Sequence, residues 1–234
     1  MTALILNSGM GSRMGYLTKD HPKCMTEISD TDTIISRQLR LLALSGIRDV
    51  VITTGPFSSV LESYVRSLDL PIDYTFVNNP IYDRTNYIYS IYMARDLLDS
   101  DLVLMHGDLV FDKEVLSKII ALPYSAVTVS STLPLPDKDF KAMVKDGRVI
   151  SIGVDLTEDV VACQPLYSLK HRDWRIWLDS ITGFCTKGET SCYAENALNQ
   201  VTSEAEIIPF DVKDMLCGEI DNETDLERMR ARLI

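Results

Sequence analysis

The chain has 234 residues, of which 46% are hydrophobic and 24% are charged, and this composition is ordinary for a globular domain with a well-buried core. Its formal net charge of -11 at pH 7 makes nucleic acid and anionic membrane surfaces poor partners. No apolar run approaches the roughly 20 residues that a membrane helix needs, and the N-terminus lacks the basic region of a signal peptide. We therefore expect a cytoplasmic protein that does not insert into membranes.

Strand and helix patterns alternate through the first half of the chain. Apolar, partly β-branched runs predict buried strands over 2–7, 49–55, 72–78 and 101–108. Between these strands, apolar residues at helical spacing predict helices over 33–47, 59–68 and 86–98. This βαβ alternation predicts a parallel sheet with helices on both faces.

The second half begins with short strand-like runs, at 125–131, 140–144, 148–153 and 160–169. Lys145-Asp146-Gly147 has the composition of a hairpin turn between two of them. The later patterns are helices over 173–185, 194–201 and 222–233, the last with Asn222 as candidate N-cap, and a strand over 206–212. We predict one α/β domain over 1–234, in which a mostly parallel mixed sheet forms the middle of three α/β/α layers.

The stretch NSGMGSRMGYLTKDHPK, residues 7–23, leaves the first predicted strand at its carboxyl end, where open α/β sheets bind ligands. Gly9 and Gly11 allow backbone N–H groups to approach an anion closely, and Arg13 and Lys23 add positive charge. Together these are the parts of a polyphosphate cradle. The alternative, on these residues alone, is a glycine turn with two solvated cations.

Two common phosphate-binding motifs do not occur in this stretch. The dinucleotide fingerprint needs glycine at the position of Met14, and the P-loop pattern is absent. The stretch instead resembles the signature of nucleotidyltransferases of the sugar-phosphate and phosphocholine type, through Gly9, Gly11, Ser12, Arg13, Met14, Thr18, Pro22 and Lys23. It departs from that signature at Asn7-Ser8, where the family usually has two alanines.

This resemblance implies a Rossmann-like fold of the nucleotide-diphospho-sugar transferase type, with a loop that wraps a nucleoside triphosphate. It implies that Arg13 contacts the leaving phosphates and that Lys23 contacts the phosphate groups undergoing transfer, so both are predicted catalytic residues. The nucleotide-binding residues that it implies in this loop are Leu6, Asn7, Ser8, Gly9, Met10, Gly11 and Ser12.

Two aspartates at element ends are candidate metal ligands. Asp108 ends a predicted strand directly after Gly107, and Asp221 precedes the terminal helix. In the resembling family an aspartate at the first place binds the catalytic Mg²⁺, and an Asp or Asn at the second completes the site. The resemblance therefore implies a Mg²⁺ site at Asp108 and Asp221, with Gly107 at the nucleotide, and Mg²⁺ favours a few carboxylates together with phosphate oxygens. The alternative for both aspartates is helix capping.

Segment 78–95 resembles a stretch of phosphocholine cytidylyltransferases that lies near the nucleotide. The resemblance implies nucleotide binding by Asn79, Asn86 and Ser90, and the last two share one helical face because they are four residues apart. At least two of the three tyrosines Tyr87, Tyr89 and Tyr92 are predicted to pack in the core. The histidines have no metal-ligand spacing, and none is predicted to act in catalysis.

Two later segments imply a pocket for an acceptor. Segment 137–153 resembles cytidylyltransferases that act on aminoalkylphosphonates and implies that Lys141 contacts the acceptor phosphate, with an exposed strand lysine as the alternative. Segment 191–198 aligns with residues around a cationic head group and implies roles for Tyr193 and Glu195, since an acid and an aromatic face suit an ammonium group.

We therefore predict a Mg²⁺-dependent cytidylyltransferase, which transfers CMP from CTP to a small acceptor that carries phosphate or phosphonate, such as phosphocholine or 2-aminoethylphosphonate, and releases pyrophosphate. In this prediction 1–122 is the nucleotide-binding half and 123–234 is the acceptor-binding half, and a homodimer is left open. The alternative is a sugar-1-phosphate nucleotidyltransferase that uses UTP, dTTP or GTP. A non-catalytic nucleotide-binding domain is the third hypothesis.

Overall fold

The computed structural model describes residues 1–9 and 11–233, without the side chains of Ser12 and Arg13. The predicted roles of Met10 and of those two side chains lie outside the described residues and stay predictions. No helix in the described part of the chain has the length and apolarity needed to cross a bilayer.

The first half of the chain alternates strands and helices, as the sequence predicts. Its elements are β1 (Thr2–Asn7), α1 (Ile34–Leu44), β2 (Asp49–Thr54), α2 (Ser58–Ser67), β3 (Asp73–Asn78), α3 (Tyr87–Ala94), β4 (Leu102–His106), β5 (Leu109–Phe111) and α4 (Lys113–Ile120). The second half comprises β6 (Ala126–Ser130), β7 (Lys141–Lys145), β8 (Arg148–Gly153), β9 (Val160–Leu169), α5 (His171–Thr186), α6 (Ala194–Leu198), β10 (Ile208–Asp211), β11 (Cys217–Glu219) and α7 (Glu223–Arg232).

The main sheet has the strand order β10-β6-β9-β4-β1-β2-β3, with the β7–β8 hairpin attached to β9. β1 pairs in parallel with β2 and β4, and β3 and β10 extend the sheet in parallel at its two ends. β9 runs antiparallel to both β4 and β6. The predicted mostly parallel mixed sheet is thereby confirmed. The sequence did not reveal the small antiparallel ribbon of β5 and β11, because three-residue strands are too short to show a pattern.

Helices cover both faces of the sheet, and the alternating side chains of β1 show how. Leu4 and Leu6 pack in one core cluster with Ile88 of α3, whereas Ala3 and Ile5 pack in a second cluster with the apolar faces of α1 and α4. All of β1 after Thr2 is buried, as expected for a central parallel strand. The three-layer α/β/α prediction is therefore confirmed.

Local signals in the sequence position the segments that approach the edge of the sheet. Asp146 and Gly147 have φ angles of 50° and 75°, so the predicted hairpin turn between β7 and β8 forms with both central residues left-handed. Asn222 caps α7, since its side chain accepts a hydrogen bond of 3.0 Å from the Asp225 N–H. Asn86 caps α3 in the same way through the Tyr87 N–H, at 2.7 Å.

Candidate active site

A cleft with a volume of about 290 Å³ opens at the carboxyl ends of β1 and β4. We call it the central cleft, and its walls include Leu6, Asn7, Gly9, Gly11, Lys23, Gly107, Asp108 and Asp221. Gly11 turns the chain into a short 3₁₀ helix with a φ of 63°, and a Cβ at this position would come within 3.2 Å of the Lys23 Cβ. The turn therefore needs glycine both for its backbone conformation and for its close approach to Lys23.

Lys23 joins the two aspartates at the bottom of the central cleft. Its Nζ atom donates hydrogen bonds to Asp108 Oδ2 at 2.7 Å and to Asp221 Oδ1 at 2.6 Å. The three side chains arrive from a 3₁₀ helix at Lys23–Met25, from the turn after β4 and from the residues that follow β11. The structure therefore brings together three predicted site residues that are far apart in the sequence.

This ion-pair cluster is largely enclosed, with 14%, 22% and 11% of the Lys23, Asp108 and Asp221 side chains exposed. Burial alone would lower the pKa of Lys23, but the two carboxylates raise it above its ordinary value. Burial would raise the pKa of Asp108, but Lys23 and His106 hold it below its ordinary value. Lys23 therefore stays protonated and Asp108 stays ionised near neutral pH.

The donor atoms of the cluster fit Mg²⁺. Two carboxylates already converge on one cationic atom, and Asp108 Oδ1 is buried without a hydrogen-bond partner among the described residues. Carboxylate oxygens are the protein ligands that Mg²⁺ prefers, completed by phosphate and water.

A second cleft of about 160 Å³ adjoins the central cleft on the side of α3. We call it the side cleft, and its walls include Ser8, Tyr82, Thr85, Asn86, Tyr87 and His106. The predicted residues Ser8 and Asn86 therefore reach this cleft, with Leu6, Gly9 and Asp108 shared with the central cleft.

Asn79 and Ser90 lie behind the wall of the side cleft, with only 1% and 0% of each residue exposed. The Asn79 Nδ2 donates to Ser90 Oγ at 3.0 Å and to Thr85 Oγ1 at 2.9 Å, and Ser90 Oγ lies 2.7 Å from Ser8 Oγ. This network ties α3 to the loop before it and to the end of β1. The geometry thus gives the pair a positioning role, in which they hold Ser8 and Thr85 in place.

A third cleft of about 200 Å³ extends from Asp108 and Asp221 toward the second half of the chain. We call it the aromatic cleft, and its walls include Tyr87, His106, Lys138, Phe140, Tyr193 and Glu219. Four of the side chains have rings that each contact two of the others. The centroid distances are 4.8 Å (Tyr87–His106), 6.1 Å (His106–Phe140), 5.1 Å (Phe140–Tyr193) and 5.9 Å (Tyr193–Tyr87).

Glu219 and His106 form a polar pair in this aromatic wall. His106 Nδ1 lies 3.2 Å from Glu219 Oε1, and these groups and Asp108 offer ligand atoms that all lie within 4.8 Å of one another. Burial and the Asp108 carboxylate raise the pKa of Glu219 to about 7. Burial would lower the pKa of His106, but the hydrogen bond to Glu219 raises it overall. Burial and a neighbouring negative charge make the ionised form of Glu219 unfavourable, so a positively charged ligand beside it would be stabilising.

The predicted acceptor residues divide into one that lines the aromatic cleft and two that do not. Tyr193 is part of the wall, whereas Glu195 lies behind it with 1% of the residue exposed. Glu195 accepts hydrogen bonds from the hydroxyls of Tyr87 and Tyr167, the latter at 2.8 Å. Burial and the Glu195 carboxylate raise the pKa of both tyrosines well above its ordinary value, so both hydroxyls remain donors.

Lys141 also lies outside the aromatic cleft, although it is not the exposed strand lysine of the alternative. Only 6% of the residue is exposed, and its Nζ donates to the carbonyl oxygen of Pro136 at 2.9 Å. Lys141 thereby anchors the segment that carries Lys138 and Phe140 into the wall of the cleft.

Sequence reasoning missed His106, Phe140 and Glu219 as residues of the site. A signal for two of them was present, because His106 and Glu219 each stand two residues before a predicted metal ligand, in the triplets HGD and EID. Alternate residues along an extended chain point to the same side, which would have placed both beside the aspartates. No comparable signal marks Phe140.

Comparison with known families matches residues 3–135 to the MobA-like NTP transferase domain. A CTP:phosphoglutamine cytidylyltransferase from Campylobacter jejuni is 33% identical over 126 residues, which cover 51% of this chain and 48% of that protein. A CMP-5'-(3-aminopropyl)phosphonate synthase from Streptomyces rubellomurinus is 32% identical over 57% of this chain and 21% of that protein. A choline-phosphate cytidylyltransferase from Haemophilus influenzae is 31% identical over 66% of this chain and 63% of that protein. The matched part of the chain spans less than two thirds of each relative.

Solved structures share the fold over nearly the whole chain. The CTP:phosphocholine cytidylyltransferase from Streptococcus pneumoniae superposes with a TM-score of 0.81 at 18% identity, covering 100% of this chain and 99% of that one. The inositol-1-phosphate CTP transferase from T. maritima gives a TM-score of 0.80 at 20% identity, covering 99% and 95%. These likenesses confirm the Rossmann-like fold predicted from the sequence.

Proposed function

Since the chain belongs to the family of MobA-like NTP transferase domains, we propose that it is a Mg²⁺-dependent cytidylyltransferase. It transfers CMP from CTP to a small acceptor that carries a phosphate or phosphonate group, and it releases pyrophosphate. The observation that carries the proposal is the cluster of Lys23 with Asp108 and Asp221, set below a glycine turn at the carboxyl end of the central strand.

The central cleft is proposed to hold the triphosphate. Gly9 and Gly11 line this cleft, so their N–H groups would approach the phosphates, and Lys23 would supply a positive charge. When CTP enters, Lys23 exchanges an aspartate for a phosphate oxygen. Arg13 remains predicted to contact the leaving phosphates.

Asp108 and Asp221 are the residues that would hold Mg²⁺. When bound, the ion supplies Lewis-acid stabilisation of negative charge on the phosphate groups. An acceptor oxygen attacks the α-phosphorus of CTP, a new oxygen–phosphorus bond forms, and the bond to the β-phosphate oxygen breaks as pyrophosphate leaves. The chain's part in this step is alignment and charge neutralisation, because a phosphate or phosphonate acceptor is already an anion.

The aromatic cleft is proposed to hold the acceptor, because it meets the central cleft at Asp108 and Asp221. Tyr193 and Phe140 provide apolar faces, and Glu219 provides the charge that attracts a cationic head group. Glu195 and Lys141 support this wall from behind. The proposed halves, 1–122 and 123–234, therefore interlock: Tyr87 reaches the acceptor side, as does His106, and Asp221 reaches the nucleotide side.

A substrate panel tests this function. The protein is incubated with CTP, UTP, dTTP or GTP, each together with phosphocholine, 2-aminoethylphosphonate or glucose 1-phosphate, and pyrophosphate release is measured with Mg²⁺ and with excess EDTA. We expect release with CTP and one of the first two acceptors, and its loss in EDTA. Release with UTP, dTTP or GTP and glucose 1-phosphate, without release from CTP, would instead establish the sugar-phosphate alternative.

A further inference from the structure

Asn7 is the last residue of β1 and a buried polar side chain in the wall of the central cleft. Only 7% of the residue is exposed, and its backbone N–H donates to Thr53 Oγ1 at 3.2 Å. The side chain lies against Gly107, and a Cβ at Gly107 would collide with Asn7 Oδ1. The glycine before Asp108 thus provides the room that the asparagine side chain occupies.

The Asn7 side chain contains an unused hydrogen-bond donor. Its Nδ2 atom is buried and has no hydrogen-bond partner among the described residues. A buried amide N–H without an acceptor costs free energy, so such groups in proteins usually have a partner in the functional state. Asn7 lines the central cleft, so a ligand bound there can supply the missing acceptor.

The neighbouring residue, Ser8, does not share the unpaired side-chain donor of Asn7. Asn7 and Ser8 both stand where the resembling nucleotidyltransferases usually have alanine. Ser8 Oγ is satisfied within the fold, since it lies 2.7 Å from Ser90 Oγ. Nδ2 of Asn7 has no such partner in the part of the chain that the structure describes, so the two polar replacements differ in what the fold supplies to them.

We propose that Asn7 is an additional catalytic residue, whose Nδ2 donates a hydrogen bond to a non-bridging oxygen of the α-phosphate of CTP. This inference rests on the proposed function. Two features select the α-phosphate. Asn7 packs beside Gly107, and the next residue is Asp108, which is proposed to hold the metal ion at the reacting phosphate. Gly9 and Gly11, which come later in the chain, are proposed to contact the β- and γ-phosphates. A donor fixed beside the transferred group stabilises charge as the reaction proceeds.

The test is steady-state kinetics of Asn7→Ala with CTP and with the two α-thio diastereomers of CTP, in Mg²⁺ with the acceptor found in the panel. We expect kcat with CTP to fall by about 10²-fold, because one fixed donor to a reacting oxygen is lost, while the KM for CTP changes little. Sulfur at the contacted position weakens the same hydrogen bond. The rate ratio of the two diastereomers should therefore shift by about tenfold between wild type and Asn7→Ala.

A matched control separates this role from general destabilisation. Ser125→Ala removes another buried group, a hydroxyl that donates to Asp173 Oδ2 at 2.6 Å outside the three clefts. We expect it to lower the melting temperature and to leave kcat unchanged. Asn7→Ala introduces the residue that the resembling enzymes usually carry, so the variant should fold.

The outcomes keep the two proposals apart. Unchanged kcat in Asn7→Ala, an equal slowing with both diastereomers, or a rise in the KM for CTP alone would overturn the role of Asn7 while CMP transfer stands. Wild-type protein that transfers CMP to no acceptor would overturn the proposed function and this inference with it.

Discussion

The central cleft and the aromatic cleft share Asp108 and Asp221, but they are built from different kinds of chain. The central cleft takes much of its wall from one continuous stretch, from Leu6 to Cys24, and is dominated by backbone and charge. The aromatic cleft takes side chains from α3, β4, β11, the residues before α6 and the segment before β7, and is dominated by rings. The first suits the proposed triphosphate, and the second suits the proposed acceptor.

Asp108→Asn tests the residue on which both clefts depend, and we expect the largest effect here. Loss of this carboxylate removes a ligand of the proposed Mg²⁺ and releases Lys23 from one of its two partners. Turnover should fall by about 10³-fold, while the circular dichroism spectrum stays that of the wild type. Pyrophosphate release in Mg²⁺ measures the change. Turnover near the wild-type rate would refute the assignment of the metal site.

Lys23→Met removes the positive charge from the central cleft and changes no residue that lines the aromatic cleft. It leaves two enclosed carboxylates without their cation, which should lower the free energy of unfolding by about 2 kcal/mol in metal-free buffer. Turnover should fall by about 10²-fold because a phosphate-binding charge is lost. Thermal denaturation in EDTA and in Mg²⁺ measures the first effect. Mg²⁺ should raise the melting temperature of the variant more than that of the wild type, and an equal rise would contradict the account.

Glu219→Gln changes a side chain that lines the aromatic cleft but not the central cleft. We expect the KM for a cationic acceptor to rise by about tenfold, while the KM for CTP stays unchanged. The control is Tyr167→Phe, which removes a hydrogen bond of 2.8 Å to Glu195 behind the wall. That variant should lose about 1 kcal/mol of stability and keep its acceptor KM within about twofold. A larger change of the acceptor KM in Tyr167→Phe than in Glu219→Gln would contradict the account, in which Glu219 contacts the acceptor and Tyr167 only supports the wall.

The prediction with the smallest effect on turnover is the pH dependence of stability that comes from the aromatic cleft. The pKa of Glu219 is raised from 4.5 to about 7 in the folded protein, so the folded state binds a proton more tightly than the unfolded chain. Its stabilising contribution is complete below about pH 4.5 and is lost as the pH rises toward 7. Wild type should therefore lose stability relative to Glu219→Gln over this interval, in metal-free and nucleotide-free buffer. Parallel melting curves at all pH values would contradict this.

The difference between the clefts also explains what the sequence could predict. The turn with Gly9 and Gly11 is local, so its residues stand close together in the sequence. The motif that they form therefore predicts a phosphate-binding site. Asp108 was readable because parallel strands end at one edge of the sheet. Most helices and strands were predictable for the same reason, since hydrophobic periodicity is a local property.

The aromatic cleft was less predictable because tertiary packing decides which side of a wall a residue faces. Tyr193 and Glu195 are two positions apart, yet only Tyr193 lines the cleft, because α6 begins between them and turns Glu195 toward Tyr167. Glu219, in a three-residue strand, takes the place that the sequence suggested for Glu195. Lys141 likewise points to a backbone carbonyl within its own segment.

Attack on the α-phosphorus of CTP is the central claim, and the fate of a radioactive label tests it most directly. The protein is incubated with Mg²⁺, the acceptor and CTP labelled with ³²P at either the α- or the γ-phosphate, and the products are separated. We predict that α-label appears in the acceptor product and γ-label in pyrophosphate, in equal molar amounts. Transfer of γ-label to the acceptor, or hydrolysis of CTP without any labelled acceptor product, would contradict the account.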